Sequence, residues 1–127
     1  MEPKIERGQP LRGMRILIVD DEFLIALSLE ETFRDAGAEI VSALTLNAAL
    51  TIAQKDALTA AVLDVRMGQR TTEMVADVLA ERGVPFIFYS GQSLPQSMRD
   101  KFPEAKVLAK PANQDAFIAV LVAAAQA

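Results

Sequence analysis

The sequence predicts an α/β protein in which a parallel sheet carries helices on both faces. Two observations support this prediction: the chain contains short apolar runs that each end in a polar residue, and helical patterns separate these runs. Strands that alternate with helices form parallel sheets with right-handed crossovers. With 127 residues, of which 51% are hydrophobic, the chain has the length and apolar content for one such domain.

Four apolar runs are typical of short strands that are buried on both faces. The central run covers residues 60–63 and leads into Asp64. The other three are residues 16–19, followed by Asp20 and Asp21, residues 86–89, followed by Ser90 and Gly91, and residues 107–109, followed by Lys110 and Pro111. Because the binding site of an open parallel sheet forms at the carboxyl ends of its strands, we expect these polar residues to share one edge.

Periodicity and capping residues define the remaining elements. In the first half of the chain the pattern predicts a flexible tail over residues 1–13, a helix over 22–36 ended by Gly37, a strand over 38–43, and a helix from its cap Thr45 to about Lys55. After the central strand it predicts a loop over 65–70 and a helix capped by Thr71 or Thr72, with Met74, Val75, Val78 and Leu79 buried. The last part is predicted to form a strand over 84–89, a short helix within 93–103, a strand over 106–109 and a final helix capped by Asn113. Residues 14–127 therefore form the predicted domain.

This pattern of five strands and five helices suits a doubly wound five-stranded parallel sheet of order 2-1-3-4-5, the flavodoxin-like arrangement. In that order the first and third strands are neighbours at the switch point. We therefore predict that Asp20, Asp21 and Asp64 converge.

Composition excludes several classes of protein. The chain has no cysteine and no histidine, which excludes thiol chemistry, zinc–thiolate sites and histidine-based catalysis. A net charge of -4 argues against a nucleic-acid partner, which favours a basic surface. Residues 1–13 lack the apolar core of a signal peptide, and no apolar run reaches the roughly 18 residues of a membrane span. We therefore expect a soluble, cytoplasmic protein with no membrane or nucleic-acid partner.

Three converging carboxylates repel one another strongly. Two unit charges about 4 Å apart repel by roughly 4 kcal/mol at an effective dielectric constant of about 20. Three such pairs would cost on the order of 10 kcal/mol, which is comparable with the whole stability of a domain. The carboxylates must therefore be partly protonated, spread apart or bound to a cation. Oxygen ligands without His or Cys favour a hard ion, and carboxylates beside open positions suit Mg²⁺.

The other polar residues of this edge favour phosphoryl transfer. Lys110 offers a positive charge for a phosphoryl oxygen, and Ser90 offers a hydroxyl donor. An aspartate can act as the nucleophile and hold the phosphoryl group as an acyl phosphate. Asp64 is the candidate acceptor, because it stands alone on its strand between the acids of the first strand and the Ser90 and Lys110 side.

From about Met14 to the carboxyl terminus, the chain resembles the receiver domain of bacterial two-component response regulators. The motifs that carry the resemblance are, in order, Val19-Asp20-Asp21-Glu22, Leu63-Asp64 followed by Met67, Tyr89-Ser90-Gly91 and Lys110-Pro111. The resemblance implies that Asp64 accepts a phosphoryl group from a histidine kinase or a histidine phosphotransfer protein. It also implies a Mg²⁺ ion bound by Asp20, Asp21 and Asp64, with Asp20 acting through water and the backbone carbonyl of Arg66 completing the set.

The resemblance implies further roles by position. Ser90 and Lys110 would hold the phosphoryl group, and Gly91 would leave the entry path open. Arg66 and Gln92 occupy positions that line the water path in the family and tune the lifetime of the phosphoryl group; a solvated loop accounts for either residue equally well. The family's switch positions are occupied by Ser90 and Val107.

The chain also departs from the family pattern. Receivers usually have Pro where this chain has Gly68, Gly where it has Thr72, and Tyr or Phe where it has Val107. With valine at that position, the ring rotation that reports phosphorylation in most receivers cannot operate. Residues 85–91 are similar to a stand-alone subgroup that has Phe-x-Thr-Gly here. We therefore expect a receiver without a DNA-binding output domain, which acts through protein contacts or as a phosphate shuttle and has at most autodephosphorylation activity.

Two alternatives from other classes stay open. The first is a pseudo-receiver, an interaction module whose pocket is never phosphorylated. The second is an aspartate-based phosphatase of the haloacid-dehalogenase type. Such enzymes require a second Asp two positions after the nucleophile on the first strand. In this chain Glu22 stands two positions after Asp20, so the phosphatase fits less well.

Overall fold

A computed structural model of the chain describes residues 8–126. Five parallel strands form one sheet: β1 (Arg15–Val19), β2 (Glu39–Ala43), β3 (Ala60–Asp64), β4 (Phe86–Ser90) and β5 (Lys106–Ala109). Their order in the sheet is β2-β1-β3-β4-β5, so the predicted doubly wound arrangement is confirmed. β1 lies beside β3, and Val19 pairs with Leu63 at their carboxyl ends.

Helices cover both faces of the sheet. The described residues form α1 (Phe23–Asp35), α2 (Leu46–Lys55), α3 (Glu73–Glu81), α4 (Gln96–Lys101) and α5 (Gln114–Gln126). α1 and α5 pack on one face and α2, α3 and α4 on the other, which gives two hydrophobic cores. Every residue of β3 is buried, because this central strand contacts helices on both sides. None of the described helices combines the length and hydropathy needed to cross a membrane.

The predicted caps Thr45 and Asn113 are formed, whereas Thr72 precedes α3 without a capping hydrogen bond. The Thr45 hydroxyl accepts a hydrogen bond from the Ala48 N–H at 3.1 Å, and Asn113 Oδ1 accepts one from the Ala116 N–H at 2.7 Å. Gly37 follows α1 with a φ of 103°. A Cβ at this glycine would lie within 3.0–3.1 Å of atoms of residues 9 and 12, so both the conformation and the close approach require glycine.

The segment before β1 is packed, which corrects the prediction of a flexible tail up to residue 13. Leu11 is fully buried in the core beneath α1 and α5. Its backbone N–H donates to the Ala36 carbonyl at 2.8 Å, and the Met14 N–H donates back to the Leu11 carbonyl at 3.0 Å. Residues 1–7 of the predicted tail lie outside the described residues. The folded domain therefore includes the segment from residue 9 onward.

The segment after β3 is a hairpin rather than the predicted loop. Its two-residue strands, Arg66–Met67 and Arg70–Thr71, pair in antiparallel fashion. Gly68 begins the turn between them with a φ of 66°, a left-handed conformation that glycine adopts without strain. The hairpin directly connects β3 to α3.

The buried stripe of α3 differs from the prediction at Met74, and Val78 is only half-buried. Val75 and Leu79 are buried as predicted, but Met74 is 56% exposed and Ala76 is buried in its place. Residue 74 lies in the first turn of the helix and faces solvent beside the hairpin.

α4 is the short helix predicted within residues 93–103. It is six residues long, and Met98 is its buried residue. The Lys101 ammonium joins it to α3 through Glu73 Oε2 at 2.6 Å and Asp77 Oδ1 at 3.1 Å. Phe102, which follows the helix, packs edge-to-face on Phe86 with ring centroids 5.3 Å apart.

Candidate functional site

The three predicted acids lie together at the carboxyl ends of β1 and β3. Asp20, Asp21 and Asp64 each have a carboxylate oxygen within 4.8 Å of the others. The parallel pairing of β1 and β3 produces this cluster, since Val19 pairs with Leu63 and the acids follow. The predicted convergence is therefore confirmed.

Asp64 is the last residue of β3 and is 8% exposed. Its Oδ1 accepts a hydrogen bond from the Val65 N–H at 2.8 Å and lies 3.5 Å from the Lys110 ammonium. Within residues 8–126, Oδ2 receives no hydrogen bond. One oxygen of the carboxylate is thus held in place, and the other is open to a ligand.

The two acids after β1 differ in burial. Asp20 is 1% exposed; its Oδ1 accepts from the Glu22 N–H at 2.9 Å, and its Oδ2 lies 3.5 Å from the Lys110 ammonium. Asp21 is exposed, and its Oδ2 accepts from the Gly68 N–H at 3.2 Å. Asp21 therefore links β1 to the tip of the hairpin that follows Asp64.

Burial makes the ionised forms of Asp20 and Asp64 unfavourable, and the Lys110 ammonium offsets only part of this effect. Burial, and then the charge of Asp20, raise the pKa of Asp64 to about 6, although Lys110 and the Val65 N–H oppose the shift. Burial also raises the pKa of Asp20. One ammonium therefore does not balance the carboxylates, which is the condition that favours a bound cation.

Lys110 follows β5 and reaches across the site. Its backbone N–H donates to the Ser90 carbonyl at 2.9 Å, and the bond between Lys110 and Pro111 is cis. Burial lowers the pKa of the Lys110 ammonium, but the charges of Asp20 and Asp64 outweigh this effect and raise it above its ordinary value. The residue is therefore a cation at every physiological pH.

Ser90 ends β4, beside the acceptor strand, and is 7% exposed. Its hydroxyl oxygen accepts a hydrogen bond from the Gln92 N–H at 3.1 Å. A Cβ added at Gly91 would meet no atom within 4 Å, so the space beside Ser90 is open. Gln92 contacts the site through its backbone; the predicted effect of its side chain on phosphate lifetime stays a prediction.

Two other predicted residues lie at the margin of the site. Arg66 is exposed on the first strand of the hairpin, where it pairs with Thr71. Val107 is 45% exposed on the edge strand β5, paired with Phe88. The roles of the Arg66 carbonyl as a ligand, of the Arg66 side chain in tuning phosphate lifetime and of Val107 as a switch position stay predictions.

Thr72 is a site residue that the sequence indicated only as a candidate cap and as a departure from the family pattern. It is fully buried, and its hydroxyl donates to the Asp64 carbonyl at 2.6 Å rather than capping α3. Its backbone N–H donates to the Val65 carbonyl at 3.0 Å. Thr72 thus holds the two carbonyls at and after the acceptor, a contact across eight residues that no local pattern reveals.

Exposed apolar side chains surround the acidic cluster. Phe23 and Leu24, in the first turn of α1, are 60% and 76% exposed. Leu44 follows β2 and is 41% exposed, and Met74, in the first turn of α3, is 56% exposed. All four lie at the carboxyl edge of the sheet, so the site opens onto a partly apolar rim.

The donor set fits Mg²⁺. Its atoms are carboxylate oxygens without nitrogen or sulfur, and they come from three residues that lie close enough to share one ion. Burial raises the pKa of both Asp20 and Asp64, and the charge of Asp20 raises that of Asp64 further, so a bound cation would stabilise their ionised forms.

Comparison with known proteins agrees with this geometry. The sequence matches the family model of the response regulator receiver domain over residues 16–122. Because the match covers most of the chain, the chain belongs to this family of signalling domains. Among curated proteins, no sequence matches the chain significantly.

Solved receiver structures share the fold. A CheY-like receiver domain protein from Methanospirillum hungatei superposes with a TM-score of 0.81 at 20% identity, covering 89% of this chain and 94% of that one. A response regulator receiver protein from Sinorhizobium medicae gives a TM-score of 0.77 at 25% identity, covering 91% and 98%. The receiver domain of a sensor histidine kinase from Pseudomonas aeruginosa, which has a magnesium ion coordinated in its active-site cleft, gives a TM-score of 0.77 at 21% identity, covering 91% and 99%.

Proposed function

We propose that this receiver domain accepts a phosphoryl group on Asp64, in the presence of Mg²⁺, from a histidine kinase or a histidine phosphotransfer protein. One observation carries the proposal. A buried carboxylate, two further acids and an ammonium lie together at one edge of the sheet, with the Ser90 hydroxyl at the end of the neighbouring strand. This combination supplies a nucleophile, cation ligands and groups for phosphoryl oxygens in one place.

Asp64 is the nucleophile in this proposal. Its open oxygen, Oδ2, attacks the phosphorus atom while Oδ1 stays bound to the Val65 N–H. A P–O bond forms, the P–N bond of the donor phosphohistidine breaks, and the electron pair of that bond returns to the imidazole. With a pKa of about 6, the Asp64 carboxyl is mostly ionised at neutral pH, so no general base is required.

Lys110 and Ser90 stabilise the transferred group. The Lys110 ammonium, 3.5 Å from Asp64, exchanges part of its interaction with carboxylates for a phosphoryl oxygen. The Ser90 hydroxyl already accepts a hydrogen bond from the Gln92 N–H, so its own proton is available to a second phosphoryl oxygen.

Asp20, Asp21 and Asp64 are the residues that would hold a Mg²⁺ ion, and we propose the Arg66 carbonyl as a further ligand. A bound ion of this kind supplies charge neutralisation for phosphoryl oxygens. The rim of Phe23, Leu24, Leu44 and Met74 supports a protein donor, since it offers exposed apolar side chains at the same edge of the sheet as Asp64. We propose that the domain acts in the cytoplasm through protein contacts or as a phosphate shuttle, and that it is not an enzyme beyond autodephosphorylation.

Incubation with acetyl phosphate and Mg²⁺, followed by intact mass spectrometry, tests the proposal. The wild-type chain is expected to gain one phosphoryl group, and Asp64→Asn is expected to gain none. Asp35→Asn, which removes an exposed acid at the end of α1, is the matched control and should label like wild type. Equal labelling of Asp64→Asn and wild type would refute the proposal.

Beryllofluoride, which mimics a phosphoryl group on a carboxylate, distinguishes the pseudo-receiver. Retention of beryllofluoride by wild type with Mg²⁺, and not by Asp64→Asn, supports a working acceptor. A wild-type chain that neither labels nor retains beryllofluoride would favour an interaction module instead.

A further inference from the structure

The Lys110 ammonium is held loosely by its carboxylate neighbours. It lies 3.5 Å from Asp20, 3.5 Å from Asp64 and 3.7 Å from Glu22. Close charge-assisted hydrogen bonds from an ammonium to a carboxylate are about 2.7–2.9 Å long. The Lys110 side chain is nevertheless only 18% exposed, so something other than these acids must fix its position.

The ring of Tyr89 occupies another side of this ammonium. The Lys110 nitrogen lies 5.3 Å from the centre of the ring, within the range of a cation–π interaction. Tyr89 stands on β4 between Asp64 on one neighbouring strand and Leu108 on the other. The backbone of Tyr89 therefore lies between Asp64 and the strand that leads to Lys110.

Tyr89 is itself fixed at both ends of its side chain. The ring packs edge-to-face on Phe117 of α5, with centroids 4.7 Å apart. The Tyr89 hydroxyl oxygen lies 3.5 Å from the Ala112 N–H, which donates to it. The residue is 7% exposed, so this arrangement is enclosed. One side chain thus touches the ammonium of Lys110 and the backbone two residues further along.

We infer that Tyr89 is a positioning residue for Lys110: its ring holds the ammonium beside Asp64, and its hydroxyl holds the segment that follows. The inference rests on the proposed function, since Lys110 acts there on the phosphoryl group. When phosphorylation draws the ammonium toward a phosphoryl oxygen, the contact between ammonium and ring changes. The environment of Tyr89 therefore changes with the chemical state of Asp64 through Lys110.

Two variants separate the ring from the hydroxyl. Tyr89→Leu removes both and keeps an apolar side chain, whereas Tyr89→Phe keeps the ring. With acetyl phosphate and Mg²⁺, we expect Tyr89→Leu to be phosphorylated about threefold to thirtyfold more slowly than wild type, the range set by cation–π energies. Tyr89→Phe should stay within about threefold of wild type, because the ring face remains.

Phe86→Leu is the matched control, because it removes another aromatic ring from β4. That ring packs on Phe88 and Phe102 in the opposite core. We expect Phe86→Leu to lower stability but leave the phosphorylation rate unchanged. The Mg²⁺ affinity of all three variants, measured by thermal shift, should equal that of wild type, since no metal-binding acid is altered.

Tyrosine fluorescence gives a second readout that does not depend on labelling. Tyr89 is the only tyrosine of the chain, which also has no tryptophan. Addition of beryllofluoride to the Mg²⁺-bound protein should change the tyrosine emission of wild type and of Phe86→Leu. This measurement decides the inference alone if Tyr89→Leu does not fold.

The outcomes are distinct. A folded Tyr89→Leu with normal Mg²⁺ affinity and a wild-type phosphorylation rate would overturn the inference while the proposed function stands, and so would unchanged tyrosine emission on binding of beryllofluoride. A wild-type chain that is never labelled and retains no beryllofluoride would overturn the proposed function, and the inference with it. Slow labelling confined to Tyr89→Leu, with responsive emission in wild type, supports the inference.

Discussion

At Asp64, the carboxylate that the proposed function requires opposes folding. Burial and the charge of Asp20 raise its pKa from 3.8 to about 6, so the folded chain binds a proton here more tightly than the unfolded chain does. In the metal-free protein, the free energy of unfolding should therefore fall as pH rises through this window. The carboxylate is tolerated because Lys110 and the Val65 N–H offset part of the cost.

The first prediction compares wild type with Asp64→Asn in EDTA. Well below pH 3.8 the Asp64 carboxyl is protonated in both the folded and the unfolded chain, so its raised pKa has no effect on stability there. By about pH 7 the cost reaches roughly 3 kcal/mol, so wild type should lose that much stability relative to the variant. Urea unfolding across this range measures the difference. Asp64→Asn also removes the repulsion between Asp64 and Asp20, so the difference includes this coupling; a difference that does not change with pH would contradict the assignment.

The second prediction concerns the hydroxyl of Thr72. Replacement by valine removes the donor to the buried Asp64 carbonyl, and an unsatisfied buried acceptor costs about 1–3 kcal/mol. Thr72→Ser keeps the hydroxyl and should retain most of the stability that Thr72→Val loses. Urea unfolding of wild type and both variants measures the effect, and a Thr72→Val variant as stable as wild type would show that the hydrogen bond contributes nothing.

At the scale of elements, the hairpin after β3 connects the separate parts of the site. Its ends are held by Thr72, and the Gly68 N–H at its tip donates to Asp21. Neither contact could be predicted from the sequence, because the hairpin itself was not predictable: strands of two residues show no periodicity. The lone Leu11 was missed for a similar reason, since a single apolar residue between Pro10 and Arg12 forms no pattern.

The third prediction tests the turn of this hairpin. Gly68 has a φ of 66°, so Gly68→Ala should cost about 1–2 kcal/mol through backbone strain. Gly91→Ala is the matched control, because a Cβ there meets open space and the residue is not in the left-handed region. Thermal or urea unfolding measures both. Equal effects of the two substitutions would mean that the turn is not strained.

Elements with strong patterns were predicted well. All five sheet strands end within one or two residues of their predicted limits, and the Thr45 and Asn113 caps are formed. The error at Met74 arose because residues in a first helical turn have few helical neighbours to fix which way they face. Ala76 is buried instead.

At the scale of the whole molecule, strand order brings together residues that lie far apart in sequence. Asp20 and Lys110 are separated by 90 residues but lie 3.5 Å apart. Their convergence could be predicted because parallel strands present their carboxyl ends at one edge. The contact of Tyr89 with Lys110 could not, since it depends on side-chain packing inside the core.

The fourth prediction concerns the effect of Mg²⁺ on global stability. An ion that binds only the folded chain stabilises it, by about 2.7 kcal/mol at a hundredfold excess over its dissociation constant. Wild type and Asp35→Asn should show this increase at neutral pH, and Asp21→Asn should show a smaller one at the same concentration. Chemical unfolding with and without Mg²⁺ measures it. An equal increase in all three would place the ion elsewhere.

The central claim is that Asp64 carries the phosphoryl group. Treatment of the acetyl phosphate-labelled chain with borohydride reduces an acyl phosphate to an alcohol, which peptide mass spectrometry locates. The result predicted here is reduction of Asp64 to homoserine in the Mg²⁺-treated wild-type chain and no reduction in the unlabelled chain. Reduction at another acid, or a phosphoryl group found on a hydroxyl side chain with Asp64 unmodified, would contradict the account.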